Sequence, residues 1–284
     1  STVTTTVTIN ALPTVAAITG TTSVCEGATT ALADVTSGGV WTSSNTATAT
    51  VNASTGVVTG VAAGSTTITY TVTSINGCST SVTTTVTVNA IPVVAAISGT
   101  TEVCAGSTTG LTSATAGGTW SSSNTATATV NASTGVVTGV AAGSVTITYT
   151  VTINGCTSNA QATVTVNALP VLASIGGTTN ACVGSTTTLT NTTSGGVWTS
   201  SATAVATVNT ITGTVTGVSA GTSTITYTYT NSNGCVSSVT TTVTINALPT
   251  VAAITGTTSV CEGATTTLSD GTAGGVWASS NTAT

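Results

Sequence analysis

Cysteine is the only residue type in this chain whose number and spacing suggest covalent chemistry. The seven cysteines fall into two series, and each series recurs at a period of about 79 residues. One series consists of Cys25, Cys104, Cys182 and Cys261, and the other of Cys78, Cys156 and Cys235. In an exported protein, such a set implies structural disulfide bonds.

The remaining side chains offer almost nothing for catalysis or metal binding. The 284 residues include no Lys, Arg or His, and the five carboxylates are dispersed over Glu26, Asp34, Glu102, Glu262 and Asp270. Acid–base catalysis near neutral pH relies mainly on histidine or positioned carboxylates, and a calcium site needs six to eight oxygen ligands. We therefore predict that the protein is not an enzyme and has no catalytic, cofactor-binding or metal-binding residue.

The lack of cations also limits the partners of the chain. Without Lys or Arg it cannot neutralise phosphates, which excludes nucleic acids and anionic membrane surfaces. No apolar run reaches the roughly 18 residues of a membrane span, so we expect no membrane insertion.

The composition predicts an all-β protein. Threonine supplies 81 of the 284 residues, and Thr, Val and Ile are β-branched types that favour strands. Strong helix formers are scarce. The hydrophobic fraction of 39% and the mean hydropathy of +0.50 are too high for a disordered chain.

An internal repeat of about 79 residues organises the chain. Trp41, Trp120, Trp198 and Trp277 recur at this period, as do four prolines, and residues 3–30 are identical to residues 239–266. The predicted divisions are 1–12 as the last strand of a preceding domain, whole domains at 13–91, 92–169 and 170–248, and the first part of a further domain at 249–284. Because both ends fall within a repeat, we expect a section of a longer array.

One repeat contains about seven short strands. In 13–91 the pattern predicts a broken first strand at 15–18 and 23–25, followed by strands at 29–35, 40–43, 47–52, 57–61, 66–73 and 79–89. Turn signals separate them, among them Gly38-Gly39 and Asn76-Gly77. This pattern is typical of a β-sandwich.

Three motifs give the repeat a family resemblance. They are Trp120-Ser-Ser-Ser-Asn124, the hairpin Thr134-Gly-Val-Val-Thr-Gly-Val-Ala-Ala-Gly143, and the strand Val145-Thr-Ile-Thr-Tyr149. The repeat resembles the group 2 bacterial immunoglobulin-like domain. The resemblance implies tandem immunoglobulin-like β-sandwich domains in a linear array on an extracellular, cell-surface protein, such as adhesins of the intimin and invasin type. Two cysteines per repeat and the absence of charged loops depart from the family pattern.

The tryptophans have two possible roles, as sugar-stacking platforms or as core residues. Their position in the third strand is that of the buried Trp of such sandwiches, and each repeat has few aromatic residues to spare. We therefore predict that Trp41, Trp120, Trp198 and Trp277 are core residues. Tyr70, Tyr149 and Tyr227 are expected in the core or at a corner, with Tyr229 exposed.

The cysteines allow two patterns of pairing. Pairing within repeats would join Cys25 to Cys78, but strand directions place these two residues at opposite ends of the sandwich, roughly 25–30 Å apart. A disulfide requires Cα atoms within about 7 Å. We therefore predict bonds between successive repeats, Cys25–Cys156 and Cys104–Cys235, with Cys78, Cys182 and Cys261 pairing with domains or chains beyond this sequence.

Taken together, these features favour a structural function. We expect a stiff segment of an extracellular bacterial fibre or adhesin stalk whose partners are neighbouring domains or copies of itself. The alternatives are a carbohydrate- or receptor-binding module and a spacer of a secreted hydrolase. Glycans could be attached at the sequons of Asn52, Asn131 and Asn191.

Overall fold

The computed structural model describes residues 1–282, and all regular elements in them are β-strands. The chain forms two compact units, Ser1–Ala168 and a second that begins at Leu169. Residues 1–282 contain no helix that could cross a membrane.

The first unit contains sixteen strands, and the described part of the second contains ten. The first sandwich consists of β1 (Thr19–Gly20), β2 (Ser23–Cys25), β3 (Thr29–Ala33), β4 (Val40–Ser43), β5 (Ala49–Val51), β6 (Val57–Gly60), β7 (Gly64–Thr73) and β8 (Ser79–Asn89). The second consists of β9 (Ile97–Gly99), β10 (Glu102–Cys104), β11 (Thr108–Ser113), β12 (Thr119–Ser122), β13 (Ala128–Val130), β14 (Val136–Gly139), β15 (Gly143–Ile153) and β16 (Cys156–Asn167). The third consists of β17 (Gly176–Gly177), β18 (Asn180–Cys182), β19 (Thr186–Thr190), β20 (Val197–Ser200), β21 (Ala206–Val208), β22 (Thr214–Gly217), β23 (Gly221–Thr230) and β24 (Val236–Asn246), and it is followed by β25 (Thr255–Gly256) and β26 (Leu268–Ser269).

Each sandwich has two four-stranded sheets with the same topology. In the first sandwich the sheet orders are β1-β3-β6-β5 and β2-β8-β7-β4. All pairings are antiparallel except that of β2 with β8, which is parallel, and the same exception recurs for β10 with β16 and β18 with β24. The opening strand of each domain is thus divided between the two sheets.

The structure corrects the predicted position of the opening strand. Residues 15–18 are not a strand, because the backbone N–H of Ala16 donates to the Thr36 hydroxyl instead of to a neighbouring strand. Val15 and Ile18 still pack against the core. The crossing between sheets occurs at Gly20, whose φ of 118° suits glycine and whose Cβ, if present, would lie 2.3 Å from the Ala31 carbonyl oxygen.

Strict alternation along the long strands separates the core from solvent. On β7, Ile68, Tyr70 and Val72 are buried with Thr66, while the threonines between them face outward. The outer face of β7 and β8 carries paired hydroxyl groups, with the Thr71 and Ser81 oxygens 2.9 Å apart. Each buried aliphatic side chain contributes about 1.5–3 kcal/mol of burial free energy, so a small sandwich of this kind can form a core without any charged group.

Trp277 does not have the core position predicted for it. Its side chain is 56% exposed and borders an open cavity of about 740 Å³ lined also by Val251, Ile254 and Leu268. In the complete sandwiches the equivalent Trp packs against a tyrosine on the seventh strand. Among residues 1–282, no strand follows Trp277 that could cover the ring.

Candidate functional site: a disulfide-bonded domain junction

Cys25 lies at the end of the first sandwich from which the chain leaves, which we call the trailing end. It is the last residue of β2, and in the parallel pairing of β2 with β8 it stands opposite Asn89, the last residue of β8. The backbone N–H of Glu26 donates to the Asn89 carbonyl at 3.0 Å. The cysteine is therefore held beside the start of the linker to the second sandwich.

Cys156 lies at the opposite end of its own domain, the leading end. It begins β16, directly after the two-residue turn Asn154-Gly155 that joins β15 to β16. Both turn residues have positive φ, 51° and 83°, as a type I′ hairpin turn requires. The turn meets the first sandwich, where the Asn89 side-chain amide donates to the Asn154 carbonyl at 3.4 Å.

A disulfide joins these two ends. The Cys25 and Cys156 sulfurs are bonded to each other, with a Cα–Cα distance of 5.6 Å and a sequence separation of 131 residues. Cys156 is buried, and its Sγ lies 3.8 Å from the Asn89 carbonyl oxygen. The bond has the pairing predicted from strand directions and ties the trailing end of one domain to the leading end of the next.

Cys104 and Cys235 occupy the equivalent positions one repeat further on, and both are disulfide-bonded. Cys104 ends β10 opposite Asn167, and Cys235 follows the Asn233-Gly234 turn ahead of β24. Their separation in sequence equals that of Cys25 and Cys156. That they are joined to each other remains a prediction.

The other three cysteines are free thiols within this single chain. Cys78 is half-buried at the leading end of the first sandwich, and its Sγ lies 3.9 Å from the Asn10 carbonyl oxygen. Asn10 thus has the place beside Cys78 that Asn89 has beside Cys156. Cys182 and Cys261 are exposed.

Three of the carboxylates accept hydrogen bonds from the backbone. Glu26 accepts a hydrogen bond from the Ala63 backbone at 2.7 Å, and Asp34 and Asp270 accept from the backbone two residues further on, at 2.7 and 2.8 Å. Among residues 1–282, no three side chains of His, Cys, Asp or Glu lie close enough to share a metal ion.

The aromatic residues are held in a recurring pair. The Trp41 and Tyr70 ring centroids are 4.5 Å apart, and the equivalent pairs Trp120–Tyr149 and Trp198–Tyr227 are both at 4.6 Å. The Tyr70 hydroxyl donates to the Thr36 carbonyl at 2.6 Å and accepts from the Gly39 N–H at 2.9 Å. Tyr229 is half-buried against the core of the third sandwich instead of fully exposed.

These pairs are poor sugar platforms. A shallow cavity of about 310 Å³ lies beside Trp120, yet the ring is only 7% exposed. The Tyr149 hydroxyl, which also lines the cavity, already donates to the Thr115 carbonyl and accepts from the Gly118 N–H. A sugar would find no open ring face there, and the hydroxyl of the paired tyrosine is already hydrogen-bonded on both sides.

Sequence reasoning did not find two contacts of the site. The first is the approach of Asn89 to the Asn154-Gly155 turn, signalled by an Asn that recurs three residues before each proline. The second is the tyrosine bond to the Gly-Gly turn, signalled by a constant spacing of 31 residues from glycine to tyrosine.

Comparison with known proteins identifies the family. The family model "Bacterial Ig-like domain (group 2)" matches residues 3–86 and 80–166, more than half of the chain. The chain belongs to this family. No curated protein sequence matches it significantly.

Several solved structures of tandem surface domains are similar to the chain. Domains 1–6 of surface layer protein SbsC share 20% identity over 87% of this chain and 42% of that one, with a TM-score of 0.26. Mouse cadherin-23 domains EC22–24 share 13% identity over 80% and 95%, with a TM-score of 0.27. A SusE-like surface-located polysaccharide-binding protein from Bacteroides thetaiotaomicron shares 11% identity over 82% and 61%, with a TM-score of 0.32. The chain thus spans less than half the length of the SbsC fragment.

Proposed function

We propose that this chain is a structural, non-enzymatic segment of a long extracellular bacterial fibre or adhesin stalk. The observation that carries the proposal is the disulfide between Cys25 and Cys156, which joins successive domains instead of closing one domain. A covalent bond beside a short linker restricts bending at the junction, which a spacer needs and an independent binding domain does not.

The recurrence of one hairpin almost unchanged supports the same function. The ten residues of the hairpin 55–64 are identical to those of 134–143. Binding modules of this fold recognise ligands through loops that differ between domains, whereas a spacer repeats one unit. The two alternative functions, a carbohydrate- or receptor-binding module and a spacer of a secreted hydrolase, are distinguished from the fibre by the following experiment.

The proposal is tested by electron microscopy of native cell-surface material, labelled with an antibody raised against the chain. We expect labelled filaments with a beaded repeat of about 35–45 Å, the length of a strand of ten to twelve residues plus a linker. Label confined to compact particles that bind glycans or carry hydrolase activity would contradict the fibre.

A further inference from the structure

The cysteines divide the chain into short and long segments. The short segments run from Cys78 to Cys104, from Cys156 to Cys182 and from Cys235 to Cys261, and all three have the same length. Each short segment contains the last strand of one sandwich and the opening strand of the next, as in β8 followed by β9 and β10. The long segments, 26–77, 105–155 and 183–234, contain the remaining strands and the Trp–Tyr pairs.

The disulfide at the first junction connects residues 1–25, which correspond to the later part of a short segment, to the short segment 156–182. It joins Cys25, the end of the opening strand of the first sandwich, to Cys156, the start of the segment 156–182. Cys104 and Cys235, which are likewise disulfide-bonded, stand at the end of segment 78–104 and the start of segment 235–261. If Cys104 and Cys235 are joined to each other, as we predict, repetition of the junction links alternate short segments end to end.

We propose that the oxidised array contains two interleaved covalent cords, each made of short segments joined by disulfides. Tension along the fibre passes through these cords and bypasses the long segments, which hold most of the residues of each core. The proposal rests on the fibre function above and adds to it the route of the load. In every sandwich, both ends of the long segment would be attached to the cords at cysteines, and the folded segment between them would carry no tension.

The lengths of the segments show that the cords are nearly taut. A fully extended chain spans at most about 3.3–3.6 Å per residue, so the roughly 26 residues of a short segment reach about 86–94 Å. Each segment runs along two domains, and a strand as long as β16, with 12 residues, spans about 40 Å. Two domain lengths therefore use about 80 Å, and the cord can lengthen by only about a tenth.

The sheet topology places the two cords side by side. In the first sandwich one cord includes β2 and the other includes β8, and these strands are parallel neighbours with Cys25 opposite Asn89. In the second sandwich the same holds for β10 and β16. Tension would therefore act along both parallel strands in the same direction.

Reduction of the disulfides would break the cords, so the long segments would no longer be shielded from tension. A dithiol such as dithiothreitol transfers two electrons to each disulfide, giving two protein thiols and its own cyclic disulfide. Tension then passes through the long segments, and each domain can be pulled open.

Force spectroscopy on the C182S chain tests the proposal. Handles are attached through maleimide thioethers to the free thiols of Cys78 and Cys261. In the oxidised chain the shortest covalent route between them is two short segments, about 52 residues, which limits the extension to about 190 Å at about 3.6 Å per residue. After dithiothreitol the route is about 183 residues, or about 660 Å, so we expect an increase of about 3.5-fold.

The matched control removes the predicted Cys104–Cys235 bond, which interrupts the cord between the two handles, and keeps the Cys25–Cys156 bond. In the C104S/C182S/C235S chain, the shortest route through Cys25–Cys156 is about 158 residues, so the oxidised chain should already extend to about 570 Å. If the oxidised C182S chain extends equally far before it breaks, the cord is overturned. Such a failure would leave labelled filaments on cells unaffected, so it is distinguishable from failure of the fibre proposal.

Discussion

At the scale of single residues, the Trp–Tyr pair is the largest packed feature of each domain. Trp120 is 7% exposed and contacts Tyr149, whose hydroxyl is hydrogen-bonded on both sides. We predict that Trp120→Ala lowers the free energy of unfolding of its own domain by about 3–5 kcal/mol, the usual effect of truncating a buried aromatic residue. In a repeat array the loss should stay local.

Calorimetry of the oxidised chain measures this effect, and Trp277→Ala is the matched control. Because Trp277 is already 56% exposed, its replacement should change stability by less than about 0.5 kcal/mol. A loss below about 1 kcal/mol for Trp120→Ala would show that the ring is not a core residue.

Two glycines of the second domain provide a sharper comparison. Gly135 has a φ of 72°, and a Cβ there would lie 2.4 Å from the Leu111 carbonyl oxygen and 2.9 Å from the Trp120 ring. Gly135→Ala should therefore destabilise the domain by at least about 2 kcal/mol. Gly110, on β11, has open space around its Cβ position, and Gly110→Ala should be neutral or stabilise by up to about 1 kcal/mol. Urea unfolding of the two variants measures the difference in stability. Equal urea midpoints for the two variants would contradict the packing described for Gly135.

The sequence motif predicted the burial of three of the four tryptophans. Trp41, Trp120 and Trp198 are buried because strands follow them that can cover the rings. Trp277 has the same local motif, but no strand follows it among the residues that the structure describes. A local pattern identifies a side chain suited to a core, but burial depends on distant parts of the chain.

At the scale of strands, long elements were predictable and short ones were not. The predicted strand 79–89 agrees with β8 to the residue, since its alternation is long and an Asn-Gly turn precedes it. The opening strand has pieces of two and three residues in different sheets, and such pieces are too short to show a period. The parallel pairing of β2 with β8 was not predicted for the same reason.

The junction between domains yields a prediction at this scale. Replacing Cys25 and Cys156 together by serine removes a bond that closes 131 residues, and this should lower the free energy of unfolding by about 2–4 kcal/mol. It should also speed cleavage in the linker at 90–96 by a protease specific for small aliphatic residues.

Denaturation followed by tryptophan fluorescence and timed proteolysis provide the two measurements. Cys182→Ser is the control, because that thiol is exposed and free in this chain and its loss should change neither result. Unchanged proteolysis of the C25S/C156S chain would show that the disulfide does not stabilise the junction.

At the scale of the whole molecule, composition alone predicts one property. With no Lys or Arg among its 284 residues, the chain offers trypsin no cleavage site, whether folded or unfolded. Gel electrophoresis after boiling, reduction and prolonged incubation with trypsin should show an intact chain. Specific fragments in that sample would contradict the sequence itself.

The repeat, the fold class and the direction of the disulfides were also predictable at this scale. The fold followed from the repeat period of about 79 residues and the alternation within it. The pairing of Cys25 with Cys156 followed from counting strand directions. The close approach of Asn89 to the Asn154 carbonyl was not predicted. The recurring Asn before each proline marks the position, but its partner depends on how two complete domains meet.

The most direct test of the junction is peptide mapping of the oxidised chain without reduction. Digestion with pepsin at acid pH requires neither Lys nor Arg and suppresses disulfide exchange, which proceeds through thiolates. We predict cross-linked peptides that contain Cys25 with Cys156 and Cys104 with Cys235, and uncross-linked peptides for Cys78, Cys182 and Cys261. Cross-linked peptides joining Cys25 to Cys78, or Cys104 to Cys156, would contradict the disulfide-bonded junction between successive domains.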